Sequence, residues 1–152
     1  MKLAEALILR SDLQHRTEQL KQRILRNAKV QEGDSPAEDP NDLLKEFESM
    51  SKELTKLIQS INQTNSNTEI EKGVTLSDGL AQRDVLKIKH NIYSELAKAA
   101  TVTHDRYSKS EVRFISTIKV AEIQKTADKL AKEHRGLDSM IQEVNWKTEL
   151  IL

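Results

Sequence analysis

The sequence predicts a mainly α-helical fold: a long four-helix antiparallel bundle with coiled-coil-like seams. A small β-hairpin at about residues 68–76 and one extra short strand at about 111–117 complete the expectation. Three observations lead there. Apolar residues recur at alternating steps of three and four, most cleanly at Val120, Ile123, Ala127, Leu130, His134, Leu137, Ile141 and Val144, which keeps one narrow stripe on one side of a helix. Only four Gly and two Pro punctuate the chain, too few to turn the corners of a many-stranded sheet. Charged residues make up 32% of the whole, which suits helices wetted along one face. A length of 152 residues is one domain's worth, so residues 1–152 are expected to form a single helical-bundle domain.

The first helix is expected from Lys2 to about Ala28. Its seam is Leu3, Ala6, Leu13, Leu20 and Ile24, with Arg10 and Thr17 as polar interruptions. Leu7 and Leu9 widen that stripe towards a second neighbour. A linker follows, in which Ser35, Pro36 and Glu38 resemble an N-cap, a first-turn proline and a capping-box acid, so one helical turn is expected there. Asp39-Pro40 repeats the signal and opens a second helix to about Asn65, with Leu43, Phe47, Met50, Leu54, Leu57 and Ile61 in register. Its acidic start would lie beside the basic end of the first helix if the two pack antiparallel.

From Asn62 the seam turns polar, and two readings stand: a fraying helix end, which is favoured, or a polar ligand pocket. Alternation around Lys72-Gly73 predicts the hairpin, with Gly73 at a positive φ. Thr75 or Ser77 then caps a third helix running to about Thr103, with Ala81, Val85, Ile88, Ile92, Leu96 and Ala99 as its seam. The β-branched, alternating stretch Glu111–Thr117 predicts the extra strand. The last helix follows to about Trp146, which is expected to anchor an apolar C-terminal tail.

A lone strand leaves a row of N–H and C=O groups unmade, at a cost of ~1–3 kcal/mol for each one buried. It must pair with the hairpin of its own chain or with a second chain. The aromatic-poor, slender core and the wide stripe of the first helix favour the second chain, hence a homo-oligomer. Glu111, Val112, Phe114 and Ile115 are the candidate oligomer strand.

Function classes are narrowed mostly by exclusion. Lys plus Arg balance Asp plus Glu, 24 against 24, so no global field steers the chain onto nucleic acid or an anionic membrane. The apolar run at the N-terminus is interrupted by Glu5 and ended by Arg10-Ser11-Asp12, and no run approaches the ~18 residues of a spanning helix. A cytoplasmic protein without a transmembrane segment is expected. Cysteine is absent, which removes disulfides and thiolate metal sites.

No Gly-x-Ser-x-Gly elbow, phosphate-binding glycine loop or dinucleotide fingerprint occurs, so no enzyme, catalytic residue or cofactor is expected. Paired acids such as Glu69/Glu71 and Glu46/Glu53 fall on solvated faces. His134 sits in a seam, where a packed histidine is the favoured reading. His104-Asp105 is the one His–carboxylate neighbour pair, with an inter-chain metal as its sharper reading. Arg106, Tyr107, Lys109 and Arg113 cluster in a non-helical stretch that could hold an anion, or nucleic acid with Tyr107 stacking. The blander reading, an inter-chain salt-bridge surface with Asp105 and Glu111, is preferred, and no nucleic-acid partner is expected.

Several stretches together carry a family resemblance. Leu9-Arg10-Ser11-Asp12-Leu13-Gln14, Arg26-Asn27-Ala28-Lys29-Val30-Gln31-Glu32-Gly33, Ile61-Asn62-Gln63-Thr64-Asn65, Arg106-Tyr107-Ser108-Lys109-Ser110-Glu111-Val112-Arg113-Phe114 and Asn145-Trp146-Lys147-Thr148-Glu149-Leu150 occur in that order. The chain resembles, over essentially its whole length, the small helical bacterial proteins that carry the name septicolysin. The resemblance implies a mainly helical protein with no catalytic residues to carry over, and the name implies a cytolysin. The leading expectation is a non-enzymatic, self-associating helical protein. The alternatives are a septicolysin-like membrane-active toxin, and anion or nucleic-acid binding through residues 106–113.

Overall fold

The computed structural model describes residues 1–102 and 112–152. The chain is mainly helical, in the order α1 (Leu3–Arg26), α2 (Pro40–Asn67), β1 (Glu69–Glu71), β2 (Val74–Thr75), α3 (Leu76–Ala99) and α4 (Val120–Lys147). It divides into two compact units: residues 1–75 with 142–152, and residues 76–141.

The first unit is built on α1 and α2. Glu5 starts α1 by accepting the Lys2 backbone N–H at 2.7 Å, placing an acid where the helix dipole favours one. Asp39 starts α2 by accepting the Asn41 N–H at 2.9 Å, with Pro40 in the first turn, where its missing N–H costs nothing. The seams read from the sequence are the buried faces. Leu3, Ala6, Leu13 and Leu20 are buried on α1, and Leu43, Met50, Leu57 and Ile61 on α2. Ile24, Phe47 and Leu54 are half-buried in the same rows. Thr17, a polar interruption of the α1 seam, donates to the Leu13 carbonyl at 2.8 Å and touches Met50 Sδ at 3.3 Å. Arg10, the other interruption, is half-buried, and its Nε has no hydrogen-bond partner among the described residues.

The basic end of α1 does meet acids, though the linker supplies the closest one. Residues 31–39 hold turns and bends and no helical turn, contrary to the capping-box expectation for Ser35–Glu38. Glu38 turns back to α1 instead. Arg23 Nε donates to its carboxylate at 3.1 Å, a second guanidinium N–H completes the fork, and the Glu38 N–H donates to Asn27 Oδ1 at 3.1 Å. A bidentate charge-assisted pair outweighs one turn of helix that nothing packs against.

The polar stretch after Asn62 does not fray. Helix α2 continues to Asn67, and Thr64 is fully buried. Its hydroxyl donates to the Ser60 carbonyl at 2.7 Å and accepts the Ile151 N–H at 2.9 Å. The C-terminal tail also pairs with the start of the chain: Leu3 N–H to Thr148 O and Leu150 N–H to Met1 O, both at 2.9 Å. Lys2 Nζ reaches Glu149 Oε1 at 2.7 Å. The start of α1 and the end of α2 are thus tied to one five-residue tail, which makes the two helices antiparallel. The hairpin is as expected, with Glu69 opposite Thr75, Glu71 opposite Val74, and Gly73 at φ +78°.

The second unit contains α3 and α4 as far as Ile141. The α4 seam holds: Ala127, Leu130 and Ile141 are buried, and Val120, Ile123, His134 and Leu137 are half-buried. Arg83 Nη1 donates to Asp138 Oδ1 at 2.9 Å, which joins α3 to α4. The α3 seam is a different matter. Gly79 and Ala97 are buried, and Arg83, Leu86, His90 and Tyr93 between them are half-buried, so the covered face is not the stripe expected from spacing. The Arg83–Asp138 pair holds that face inward. The expected seam points out.

The extra strand is not formed among the described residues. Residues 112–116 adopt no regular structure, and Glu111 lies outside the described residues. Alternation sets which residues share a face and does not by itself hold a segment in a strand.

A candidate interaction surface on the third helix

The sequence stripe on α3 lies in solvent. Val85 is 54% exposed, Ile88 58%, Ile92 60% and Leu96 40%. At ~100° per residue these four, with Ala81 and Ala99 at the ends, fall within about 80° of arc and run ~27 Å along the helix. Scattered exposed leucines need no explanation, but an unbroken aliphatic row of that length is the candidate interaction surface of the described residues. Beside its start lies a groove of ≈ 440 Å³ lined by Ala81, Gln82, Val85, Leu86 and Lys89. At its far end a cleft of ≈ 390 Å³ has Leu96, Ala99 and Val102 on one side and Phe114 and Ile115 on the other.

Of the residues singled out from sequence, Val112, Phe114 and Ile115 are at least three-quarters exposed and extend the apolar surface, though not as a strand. Arg113 is exposed beside them. Arg106, Tyr107, Lys109, Glu111 and the pair His104-Asp105 lie outside the described residues. His15 is exposed, while His90 and His134 are half-buried on different helices. Among the described residues no group of three or more His, Asp or Glu side chains is placed to hold a metal ion.

The wide stripe of α1 is partly used. Leu7 and Leu9 are half-buried, while Ile8 stays 62% exposed. Trp146 does not anchor the tail. It is 55% exposed, at the rim of a cleft of ≈ 280 Å³ with Ala4, Leu7 and Ile8, and backbone hydrogen bonds with the Thr64 hydroxyl hold the tail instead.

Charged groups perturbed by their partners are ordinary surface pairs. Hydrogen bonding to Arg23 holds Glu38 below the usual carboxylate range and pushes Arg23 further up. Lys2, with the terminal ammonium behind it, does the same to Glu149. Lys147 lowers Glu143. None of these groups sits in a water-poor cleft, so none has the environment of a poised general acid or base. Among the described residues no helix is long and apolar enough to cross a membrane.

The chain is similar over 99% of its length to a crystal structure of a functionally unknown conserved protein from Corynebacterium diphtheriae. That chain is likewise covered over 99%, with 48% sequence identity and a TM-score of 0.94. No curated protein matches the chain. Residues 10–150 match the model of the Family of unknown function (DUF6847), and the protein belongs to that family.

Proposed function

We propose that the protein is a non-enzymatic, self-associating helical-bundle protein of the cytoplasm, whose work is done through assembly. The observation that carries this reading is the exposed aliphatic row Val85, Ile88, Ile92 and Leu96, continued by Phe114 and Ile115. Periodicity of that strictness gains nothing in a helix whose stripe stays wet, whereas covering it removes several large side chains from water. The route of assembly differs from the strand pairing expected from sequence: helix and loop side chains supply it. Sedimentation velocity across micromolar concentrations is the test. A concentration-dependent shift to a dimer or larger species is expected, and a single monomer boundary at every concentration rules the reading out.

Septicolysin kinship stays a proposal about descent, resting on the ordered motifs from Leu9-Arg10 to Glu149-Leu150. Lysis is the competing activity, and dye release from liposomes distinguishes it from assembly: the assembly reading expects no leakage by the folded protein. Anion or nucleic-acid binding by the 106–113 segment predicts salt-sensitive retention on heparin that Arg113→Ala abolishes.

A further inference from the structure

We infer that the occupant of the α3 surface is a second copy of the same helix, docked antiparallel about a two-fold axis near residues 90–91. The inference rests on the self-association reading and adds its surface, orientation and register.

The stripe is its own mirror image. Reversing the helix about that axis sets Ala81 against Ala99, Val85 against Leu96 and Ile88 against Ile92, each apolar residue meeting one of similar size. An isologous interface requires this, because one patch must fit itself. One flank is also self-complementary. Asp84, Asn91 and Lys98 stand at heptad spacing along it. In an antiparallel pair like flanks face each other, so Asp84 meets Lys98 of the second copy, Lys98 meets its Asp84, and the two Asn91 amides meet on the axis. Lys98 is exposed, and the Asp84 side chain is 72% exposed and only 3.6 Å from Arg83 of its own chain, a long exposed pair that a second-copy ammonium can share.

The other flank carries the groove at one end and the Phe114–Ile115 knob at the other. The knob lies beside Leu96 and Ala99, and the groove is lined by Ala81, Gln82, Val85, Leu86 and Lys89. Antiparallel docking brings the knob end of each copy to the groove end of the other, two such insertions per dimer. A parallel pair fails on both counts. It sets Glu95 against Glu95 at the edge of the seam, where water is excluded, and turns each knob towards Asn91 and Lys98 instead of the groove. The antiparallel pair carries one like-charge approach, Lys89 with Lys89, on a flank that stays in water and is screened.

A helix pair ~27 Å long buries less than the ~1,000 Å² expected of a stable interface, so the knobs are needed to complete it. Association in the micromolar range follows, with the knobs as its anchors.

The test is sedimentation equilibrium on the full chain, with far-UV circular dichroism and thermal melts as controls for folding. Ile88→Glu should abolish the dimer, and Phe114→Ala should weaken it ~10-fold or more. Both residues are exposed, so helicity and melting should hold; Ile92→Lys serves as a second disruptive variant if Ile88→Glu misfolds. Asp84→Lys and Lys98→Asp should each weaken association several-fold, and the double variant should restore it to within about threefold, as a double-mutant cycle requires of a direct pair. A wild-type monomer overturns the self-association reading and this inference with it. A dimer indifferent to Ile88→Glu and Ile92→Lys overturns the α3 surface alone. Rescue of Asp84→Lys by Lys89→Asp, and not by Lys98→Asp, overturns the antiparallel orientation.

Discussion

The Thr64 hydroxyl accepts the Ile151 N–H at 2.9 Å, joining residues 87 apart in the chain. Thr64 is fully buried, and the same oxygen donates to the Ser60 carbonyl at 2.7 Å, so one hydroxyl serves both the helix and the tail. A polar residue in a seam is tolerable when both its donor and its acceptor are used.

Thr64→Val keeps the shape and removes the acceptor, leaving the Ile151 N–H unmade at a cost of ~1–3 kcal/mol. Thr64→Ser keeps the acceptor and loses one methyl, ~0.8 kcal/mol. Urea denaturation should rank wild type above Ser and Ser above Val. The reverse order for the two variants would mean that the methyl, not the hydroxyl, matters there.

Helix α1 contains its own internal control. Leu20 is 2% exposed and Leu25 is 59% exposed. Leu20→Ala should cost ~2–5 kcal/mol through lost burial and the cavity left behind. Leu25→Ala should fall within ~0.5 kcal/mol of wild type. Equal losses in thermal or urea unfolding would contradict the burial described for the α1 seam.

At the hairpin tip, Gly73 holds φ +78° and has nothing within 4 Å of where a Cβ would stand. Substitution there costs backbone strain and no steric clash. Gly73→Ala should lower stability by ~1–2 kcal/mol, and Gly73→Asn by less, because Asn enters the left-handed region more readily. The unfolding midpoints of the two variants decide it.

Glu149 and Glu38 both ionise more readily folded than unfolded, the first because of Lys2 and the terminal ammonium, the second because of Arg23. Their contribution to stability is therefore complete above the ordinary carboxylate range, near pH 4–4.5, and is lost as pH falls through the lowered folded values. The difference in urea midpoint between wild type and Glu149→Gln should be present at pH 7, shrink with added salt, and vanish in acid. A difference unchanged down to pH 2 would show that the substitution acts through something other than charge.

Much of this fold is legible residue by residue. The alternating steps of three and four locate the buried rows of α1, α2 and α4, because a helix has one face per repeat and burial follows it. Asp39-Pro40 and Lys72-Gly73 mark their turns through local chemistry that needs no distant partner. The misreadings occur where local preference competes with a long-range contact. Ser35–Glu38 carries a capping pattern, but the Glu38 carboxylate is drawn to Arg23. Asn62–Asn67 has the composition of a frayed end, but Thr64 is held by the tail. Val112–Thr117 has the alternation of a strand, yet residues 112–116 adopt no regular structure.

What the residues determine unaided is that six apolar positions on α3 share one face and gain by being covered. What covers them belongs to tertiary structure. There the chain turns Gly79, Arg83, Leu86 and Ala97 inward and leaves Val85, Ile88 and Ile92 out. The physical reason is that hydrophobic burial is non-directional: periodicity records how much a face gains on leaving water, and only close packing and paired charges, here Arg83 with Asp138, decide which neighbour it leaves water against.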